Sequence, residues 1–301
     1  MSLALIAAVV LGVSQQTPPQ DDATALPDIT VSGARPTVNQ TRRFVDEITT
    51  MPTHALTLGR WVTPICVSVE NLRPETAAEI ATRIEDRARS VGVEVREPGC
   101  SPNITIIATS DGRYTATDLV AAYRDRFVAS DGPTQGDGRD LRRFAESDAP
   151  VRWWNISALM DERTRQVLVP IWGAPAPIAD TTGYSFFGQN RREAIVTSLV
   201  IIDASKTGAV SPAVLGDYLS MVVLTPVDPE LRAGGYPSIL GMWDGGQTAT
   251  GLTPWDRAYL TALYEARVRL SGSTLQPRSM FQLNEMARIM ARELGEEGPA
   301  P

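Results

Sequence analysis

Asp217 and Asp244 are the carboxylates whose setting in this chain most favours a chemical role. Asp217 lies in an apolar stretch typical of a helix, and Asp244 follows after a loop, so both could meet at one cleft. Glycoside hydrolysis needs two acids roughly 5–10 Å apart. Because any acidic chain offers such pairs, a carboxylate-dependent hydrolase acting on cell-wall material is only an alternative prediction.

Aromatic and hydroxyl side chains surround these two acids in the sequence. Several tryptophans near one groove would suit stacking against a sugar or a peptide, although core packing explains each of them as well. The candidate cleft residues are Asp217, Tyr218, Ser220, Ser238, Trp243 and Asp244.

Histidine chemistry has little support in this sequence. His54 is the only histidine, and it precedes the first predicted strand. No G-x-S-x-G nucleophile motif, P-loop or dinucleotide fingerprint is present. The sequence therefore predicts no catalytic residue, no metal ligand and no cofactor.

The charge balance restricts the class of partner. The chain of 301 residues carries a net charge of −7 with a pI near 4.9, and Lys206 is its only lysine. Nucleic acids and anionic membranes are bound through basic patches. We therefore expect that neither a nucleic acid nor an anionic membrane is a partner. The expected partner is an envelope protein, a peptide or a glycan.

The beginning of the chain resembles an export signal. Residues 3–13 are continuously apolar, too short for a membrane span but long enough for a secretory core, although the usual basic residues before it are missing. A buried strand is the alternative. We predict a signal peptide over residues 1–14, a flexible leader over 15–40, a periplasmic or secreted protein, and no transmembrane span after cleavage.

Cys66 and Cys100 are the only cysteines. An even, sparse number of cysteines in an exported chain favours one disulfide, whereas two buried free thiols would be expected in a cytosolic protein. A bond closing this loop would stabilise the fold by roughly 3–4 kcal/mol.

Apolar periodicity predicts an α+β fold with a mixed sheet of four to five strands and packed helices. Ser211 with Pro212 and Thr253 with Asp256 are helix-capping pairs. The predicted strands are 61–69, 93–95, 103–108, a hairpin of 151–156 with 166–171, and a central strand 194–202. The predicted helices are 42–50, 74–91, 117–128, one from 211, one from 253 to about 270, and 280–294, with loops over 130–150 and 173–188.

This order of elements resembles that of zincin-like metallopeptidase domains, and the layout is similar to that of uncharacterised secreted proteobacterial families. Pro237-Ser238-Ile239-Leu240 resembles the Ser-Ile-Met turn under the metal, and the stretch from Leu252 to Leu260 resembles the opening of the last helix. The resemblance implies a zincin-like domain over 41–272, followed by a C-terminal helix and tail over 273–301.

The same resemblance implies a His-Glu-x-x-His helix over residues 213–224, where this chain has no histidine. Zincins need two histidines on one helical face to hold zinc, and a glutamate to act on the bound water. Two alignments are possible: Gly216, Asp217 and Ser220 occupy the motif positions in one, and Asp217, Tyr218 and Met221 in the other.

We therefore predict a non-catalytic, degenerate zincin-like protein that binds a peptide, a glycan or an envelope partner. A third hypothesis is an envelope structural factor that docks through the last helix, whose methionines share one face.

Overall fold

A four-stranded mixed sheet lies at the centre of the computed structural model, which describes residues 35–50, 57–127, 138–161, 164–166, 191–208, 210–229, 235–244, 250–267 and 278–296. The strands are β1 (Val67–Glu70), β2 (Ile104–Thr109), β3 (Val151–Asp161) and β4 (Arg191–Asp203), in the order β1-β2-β4-β3. β1, β2 and β4 are parallel, and β3 is antiparallel to β4 at one edge. The α+β prediction with four to five strands is confirmed.

β4 is an interior strand, as its apolar sequence predicts. Its Val200 aligns with Ile106 of β2 on one side and with Trp153 of β3 on the other. Val200 and Ile201 are fully buried because helices cover both faces of the sheet. Strands that are buried on both faces have continuous apolar sequences, which explains why the sequence of β4 predicts an interior strand so clearly.

Eight helices, counted over the described residues, cover this sheet. They are α1 (Val38–Ile48), α2 (Pro74–Ser90), α3 (Gly112–Ala122), α4 (Arg124–Phe127), α5 (Gly138–Glu146), α6 (Pro212–Leu224), α7 (Pro254–Glu265) and α8 (Arg278–Glu296), with a 3-10 turn over Ile239–Trp243. The larger core joins the sheet to α1, α2, α6, α7 and α8, and a smaller one joins it to α3, α4 and α5.

The caps predicted for α6 and α7 are confirmed. The Ser211 hydroxyl accepts the Val214 N–H, and Thr253 forms a reciprocal capping box with Asp256. The second of these helices ends at Glu265 and not near residue 270, since the Ala266 backbone leaves the helical conformation, with ψ at 121°.

Two predictions between residues 111 and 150 are wrong. The helix predicted over 117–128 begins earlier, as α3, because the Asp111 carboxylate caps it by accepting the Tyr114 N–H. Residues 138–146, predicted as part of a loop, form α5. Leu141, Phe144 and Ala145 give this helix a buried face against β3.

Both ends of the described chain are packed together. α1 begins at Val38, within residues assigned to the leader, because Thr37 caps it together with Gln40. α8 lies against α1 and α7, and the Thr41 hydroxyl donates to the Ala287 carbonyl. The described residues all belong to one compact unit, Ala34–Pro301.

β3 is longer than predicted, and its antiparallel partner is β4. A turn follows it, in which the Asp161 N–H donates to the Gln166 carbonyl. Residues 167–171, predicted as the second arm of a hairpin, and the predicted loop 173–188 lie outside the described residues. The signal peptide and residues 15–34 of the leader do too.

The Cys66–Cys100 disulfide is present, as predicted. It ties the start of β1 to the residues that precede β2, and it is compatible with an exported protein. No described helix is both long and apolar enough to cross a membrane.

Candidate functional site

Asp217 is fully buried between α6 and α2 and is held by ionic contacts. Its carboxylate accepts from Arg83 Nε at 2.9 Å and Nη2 at 3.0 Å, from Arg87 Nε at 2.8 Å and from the Leu252 N–H at 3.3 Å. These donors fill the hydrogen-bonding capacity of the carboxylate. Asp217 therefore acts as a structural anchor and has no lone pair directed at a reactant.

Gly216 allows this anchor to form. An added Cβ at Gly216 would lie 2.8 Å from Arg83 Cβ and 3.4 Å from the Ile80 carbonyl oxygen. The α2 and α6 backbones consequently approach closely enough for Arg83 to reach the next residue of α6. In the sequence Gly216 signals only a weak helix position, so this packing role is visible only in three dimensions.

Ser238 and Asp256 join the turn before the 3-10 segment to the start of α7. The Ser238 hydroxyl donates to one oxygen of Asp256 at 2.5 Å, and the Ile239 and Thr253 N–H groups donate to the other at 2.9 Å. Burial raises the pKa of Asp256, although these hydrogen bonds oppose the shift. Ser238 is thus buried in the contact between this turn and α7.

Ser220 is also internal. Its hydroxyl donates to the Gly216 carbonyl one turn earlier at 2.7 Å, and the side chain is fully buried. Among the predicted cleft residues, Asp217, Ser220 and Ser238 are therefore structural in their contacts.

Tyr218, Trp243 and Asp244 do meet in one cleft, which we call the Tyr218 cleft. It has a volume of about 410 Å³, and its other walls include Leu240 and Trp153. The Tyr218 and Trp243 rings meet edge to face with centroids 6.1 Å apart. Burial raises the pKa of Tyr218, and the nearby Asp244 charge raises it further. The phenol is therefore neutral at physiological pH. The structure does not bring Asp217 and Asp244 together in this cleft.

A second cavity, of about 390 Å³, adjoins the Tyr218 cleft and is called here the edge groove. One wall is α5, the other is the segment containing Asp228 and Pro229, and Val151, Arg152, Trp153 and Trp154 form its floor. Alternate residues of a strand point to opposite faces of its sheet. Since four consecutive residues of β3 line it, the groove lies beside the strand and not above either face.

The backbone of β3 faces this groove at alternate residues. The Asp203 N–H donates to the Pro150 carbonyl, which makes Pro150 and Asp203 a hydrogen-bonded pair. In an antiparallel ladder the residues between such pairs direct their N–H and C=O groups away from the partner strand. Val151 and Trp153 therefore direct theirs outward, and no described residue hydrogen-bonds to these groups.

Arg152 is the residue of the edge groove that the sequence does not reveal. It is only 3% exposed, and its Nη2 donates to the Ala149 carbonyl at 3.2 Å. Nε and Nη1 are buried and have no hydrogen-bond partner in the described part of the chain. Burial lowers the pKa of Arg152, and the negative charge of Asp203, the largest of the opposing effects, raises it.

Asp203 itself is satisfied by other groups. It accepts from the Gly112 N–H at 3.2 Å and from the Ser205 hydroxyl at 2.5 Å, and Lys206 lies 3.5 Å away. Burial opposes ionisation, but the hydrogen bonds and the lysine outweigh it and lower the pKa of Asp203. Lys206 also pairs with Asp148 of the Tyr218 cleft, which raises the lysine pKa.

No group of three or more potential metal ligands occurs within the described ranges. His54 lies outside them, so the expectation that it plays no catalytic role stays a prediction. The methionine face of α8 is covered over most of its length: Met286 and Met290 are fully buried against the neighbouring helices, whereas Met280 at the start of the helix is exposed.

Comparison with known proteins gives no match: no protein-family model, no curated protein and no solved structure is significantly similar to this chain.

Proposed function

We propose that this chain is a non-catalytic, zincin-like protein of the periplasm or the extracellular space, which holds an extended peptide against the edge of β3. The edge groove is the observation that carries the proposal. Here outward-facing backbone groups of Val151 and Trp153 lie beside a cavity large enough for side chains. An extended peptide binds such an edge by adding a strand, with main-chain hydrogen bonds for affinity and pockets for alternate side chains.

The order of elements supports the zincin-like part of the proposal. A central strand, β4, leads into the apolar helix α6, which is followed by a tight turn and by the capped helix α7. The Ser238–Asp256 hydrogen bond joins that turn to α7, where the resemblance expects a turn beneath a metal.

The contacts of Asp217 support the absence of catalysis. A general base needs a lone pair within hydrogen-bond reach of the reacting proton. Asp217 directs its oxygens to Arg83, Arg87 and the Leu252 N–H, whereas the α6 side chain facing the Tyr218 cleft is Tyr218.

A peptide fits the site better than a glycan does. Sugar stacking requires exposed aromatic faces, but Trp153 and Tyr218 are at least nine-tenths buried. Their rings form the walls of the cavities without offering an open platform, while the strand edge offers backbone groups in the spacing of a peptide partner.

Peptide retention on the immobilised full-length protein tests the proposal. The probe is a pooled library of N-acetylated hexapeptides, compared with the same pool carrying N-methyl groups on alternate backbone amides. We expect retention of a subset of the first pool and its loss from the second, because N-methylation removes the donors that pair with a strand. Equal retention of both pools would exclude strand addition.

Val151→Pro provides a matched variant, with Val151→Ala as its control. Proline at position 151 removes an outward-facing N–H that β4 does not use, whereas alanine keeps the N–H and loses similar packing. We expect weaker retention by the proline variant only, with both variants folded by circular dichroism. Stoichiometric zinc in the purified protein would refute the non-catalytic assignment.

A further inference from the structure

Arg152 supplies the edge groove with a buried cation that the fold does not fully satisfy. A desolvated guanidinium normally has its N–H groups hydrogen-bonded, because leaving them unpaired costs free energy. In this chain one contact is made, to the Ala149 carbonyl, and Nε and Nη1 remain without a partner among the described residues. Arg152 is one of the residues that line the edge groove, and these two donors lie buried beneath its wall.

The surroundings hold Arg152 in place without neutralising it. Asp203 attracts the guanidinium but gives its hydrogen-bonding capacity to Gly112, Ser205 and Lys206. Gly112 keeps the space open, because an added Cβ would lie 3.2 Å from Arg152 Nη2. The positive charge of Arg113 and the negative charges of Asp111 and Asp148 act on it from a distance.

The chemistry of the other side chains of the groove indicates what the rest of the ligand is like. Phe144, Trp153, Trp154 and Pro229 form apolar parts of the groove wall next to Arg152, and the three aromatic side chains are largely buried. The carboxylates of Asp140, Glu146 and Asp228 also border the cavity, and Asp140 pairs with Arg143 at 3.1 Å. These acids repel any anion, including a peptide carboxylate, so binding depends on direct hydrogen bonds to the Arg152 guanidinium and on apolar contacts of the rest of the peptide.

We infer that Arg152 is the specificity residue of the edge groove, and that it binds a carboxylate of an extended, largely apolar peptide. The inference rests on the proposed function, since the peptide backbone would pair with β3 while its carboxylate accepts from Nε or Nη1. Charge-assisted hydrogen bonds to carboxylates are the stronger kind, and arginine forms them with defined geometry. The carboxylate belongs to the peptide C-terminus or to an acidic side chain.

The hexapeptide pool distinguishes these two sources when it is prepared both as free acids and as C-terminal amides. If the C-terminus is recognised, the amidated pool is retained about ten- to a hundredfold less. If an acidic side chain is recognised, both pools are retained, and the retained peptides are enriched in Asp or Glu. A wild-type protein that retains peptides without either preference would overturn the inference and leave the proposed function standing.

Arg152→Gln is the decisive variant, and Arg143→Gln is its control in the same cavity. We expect the first to lose the carboxylate preference by about ten- to a hundredfold, and the second to keep it, because Arg143 is more exposed and already paired. Arg152→Lys should keep part of the preference by charge alone. An Arg152→Gln protein with the wild-type preference refutes the inference, and Arg152→Met replaces it if the glutamine variant does not fold.

If the proposed peptide binding is itself wrong, the observation is different: the wild-type protein retains neither the free-acid pool nor the amidated pool. In that case N-acetylvaline is titrated as the free acid while the ¹⁵N shift of Arg152 Nε is followed. A saturable shift at about 10 mM or below keeps the carboxylate site without the strand addition. An unchanged shift overturns both.

Discussion

Two buried charges in this molecule have opposite surroundings. Asp217, between α2 and α6, receives hydrogen bonds from two arginines and a backbone N–H. Arg152, beside the edge groove, makes one hydrogen bond and leaves two nitrogen atoms without a described partner. A buried charge that is fully paired serves the fold. One that is incompletely paired next to a cavity is a weaker structural element and a better candidate for recognition.

Among the substitutions that test this comparison, Asp217→Asn should have the largest effect on the free energy of unfolding. The substitution leaves Arg83 and Arg87 without their shared carboxylate, and should lower the free energy of unfolding by about 3 kcal/mol. Urea denaturation measures the change. Asp86→Asn is the control, since Asp86 pairs with Arg89 on the exposed side of α2 and should cost under about 0.5 kcal/mol. Equal small effects would show that Asp217 is not an anchor.

Asp203→Asn tests the paired carboxylate that attracts Arg152 most strongly, and should lower the free energy of unfolding by about 2 kcal/mol at neutral pH through weakened hydrogen bonds. Because the pKa of Asp203 is lowered in the folded state, its contribution is present above the unfolded value of 3.8 and is lost as pH falls through the folded pKa. Stability measured from pH 7 to pH 2 should therefore fall less steeply in the variant than in the wild type. Parallel curves would contradict the assignment.

Gly216→Ala should lower the free energy of unfolding by about 1 kcal/mol, although alanine is the better helix former. The added methyl group would meet Arg83 Cβ and push α2 away from Asp217. Thermal unfolding measures the change. An increase in stability would show that α2 can retreat without loss of the ionic contacts.

Arg152→Met should change the free energy of unfolding by less than about 0.5 kcal/mol, the smallest effect of the series. The lost hydrogen bond to Ala149 is offset by removal of a charge that burial disfavours. Urea denaturation beside Asp217→Asn gives the comparison directly. A loss as large as that of Asp217→Asn would make Arg152 a structural residue.

Local signals in the sequence were sufficient for much of the fold. The caps at Ser211 and Thr253 are predictable because a cap is a hydrogen bond between near neighbours in the chain. The central position of β4 follows from its unbroken apolar run, and the disulfide from a single pair of cysteines. α5 was not predicted because its apolar residues lie within a short segment rich in glycine and aspartate.

The candidate site was less predictable, for a physical reason. α6 is buried nearly all round, so no polar face in its sequence shows that Asp217 turns toward α2 and Tyr218 toward the cleft. Arg152 appears in the sequence as one of many arginines. Its burial depends on pairing between β3 and β4, which are distant in the chain, and on α5.

Lys206 gives the molecule a single lysine amine, held by Asp148 at the border of the Tyr218 cleft. Acylating dyes would therefore label one side chain, and its raised pKa should make that labelling slow at neutral pH and faster in alkali. A fluorophore attached there would report on occupancy of the adjoining cavities without any engineered cysteine, and so without disturbing the native disulfide.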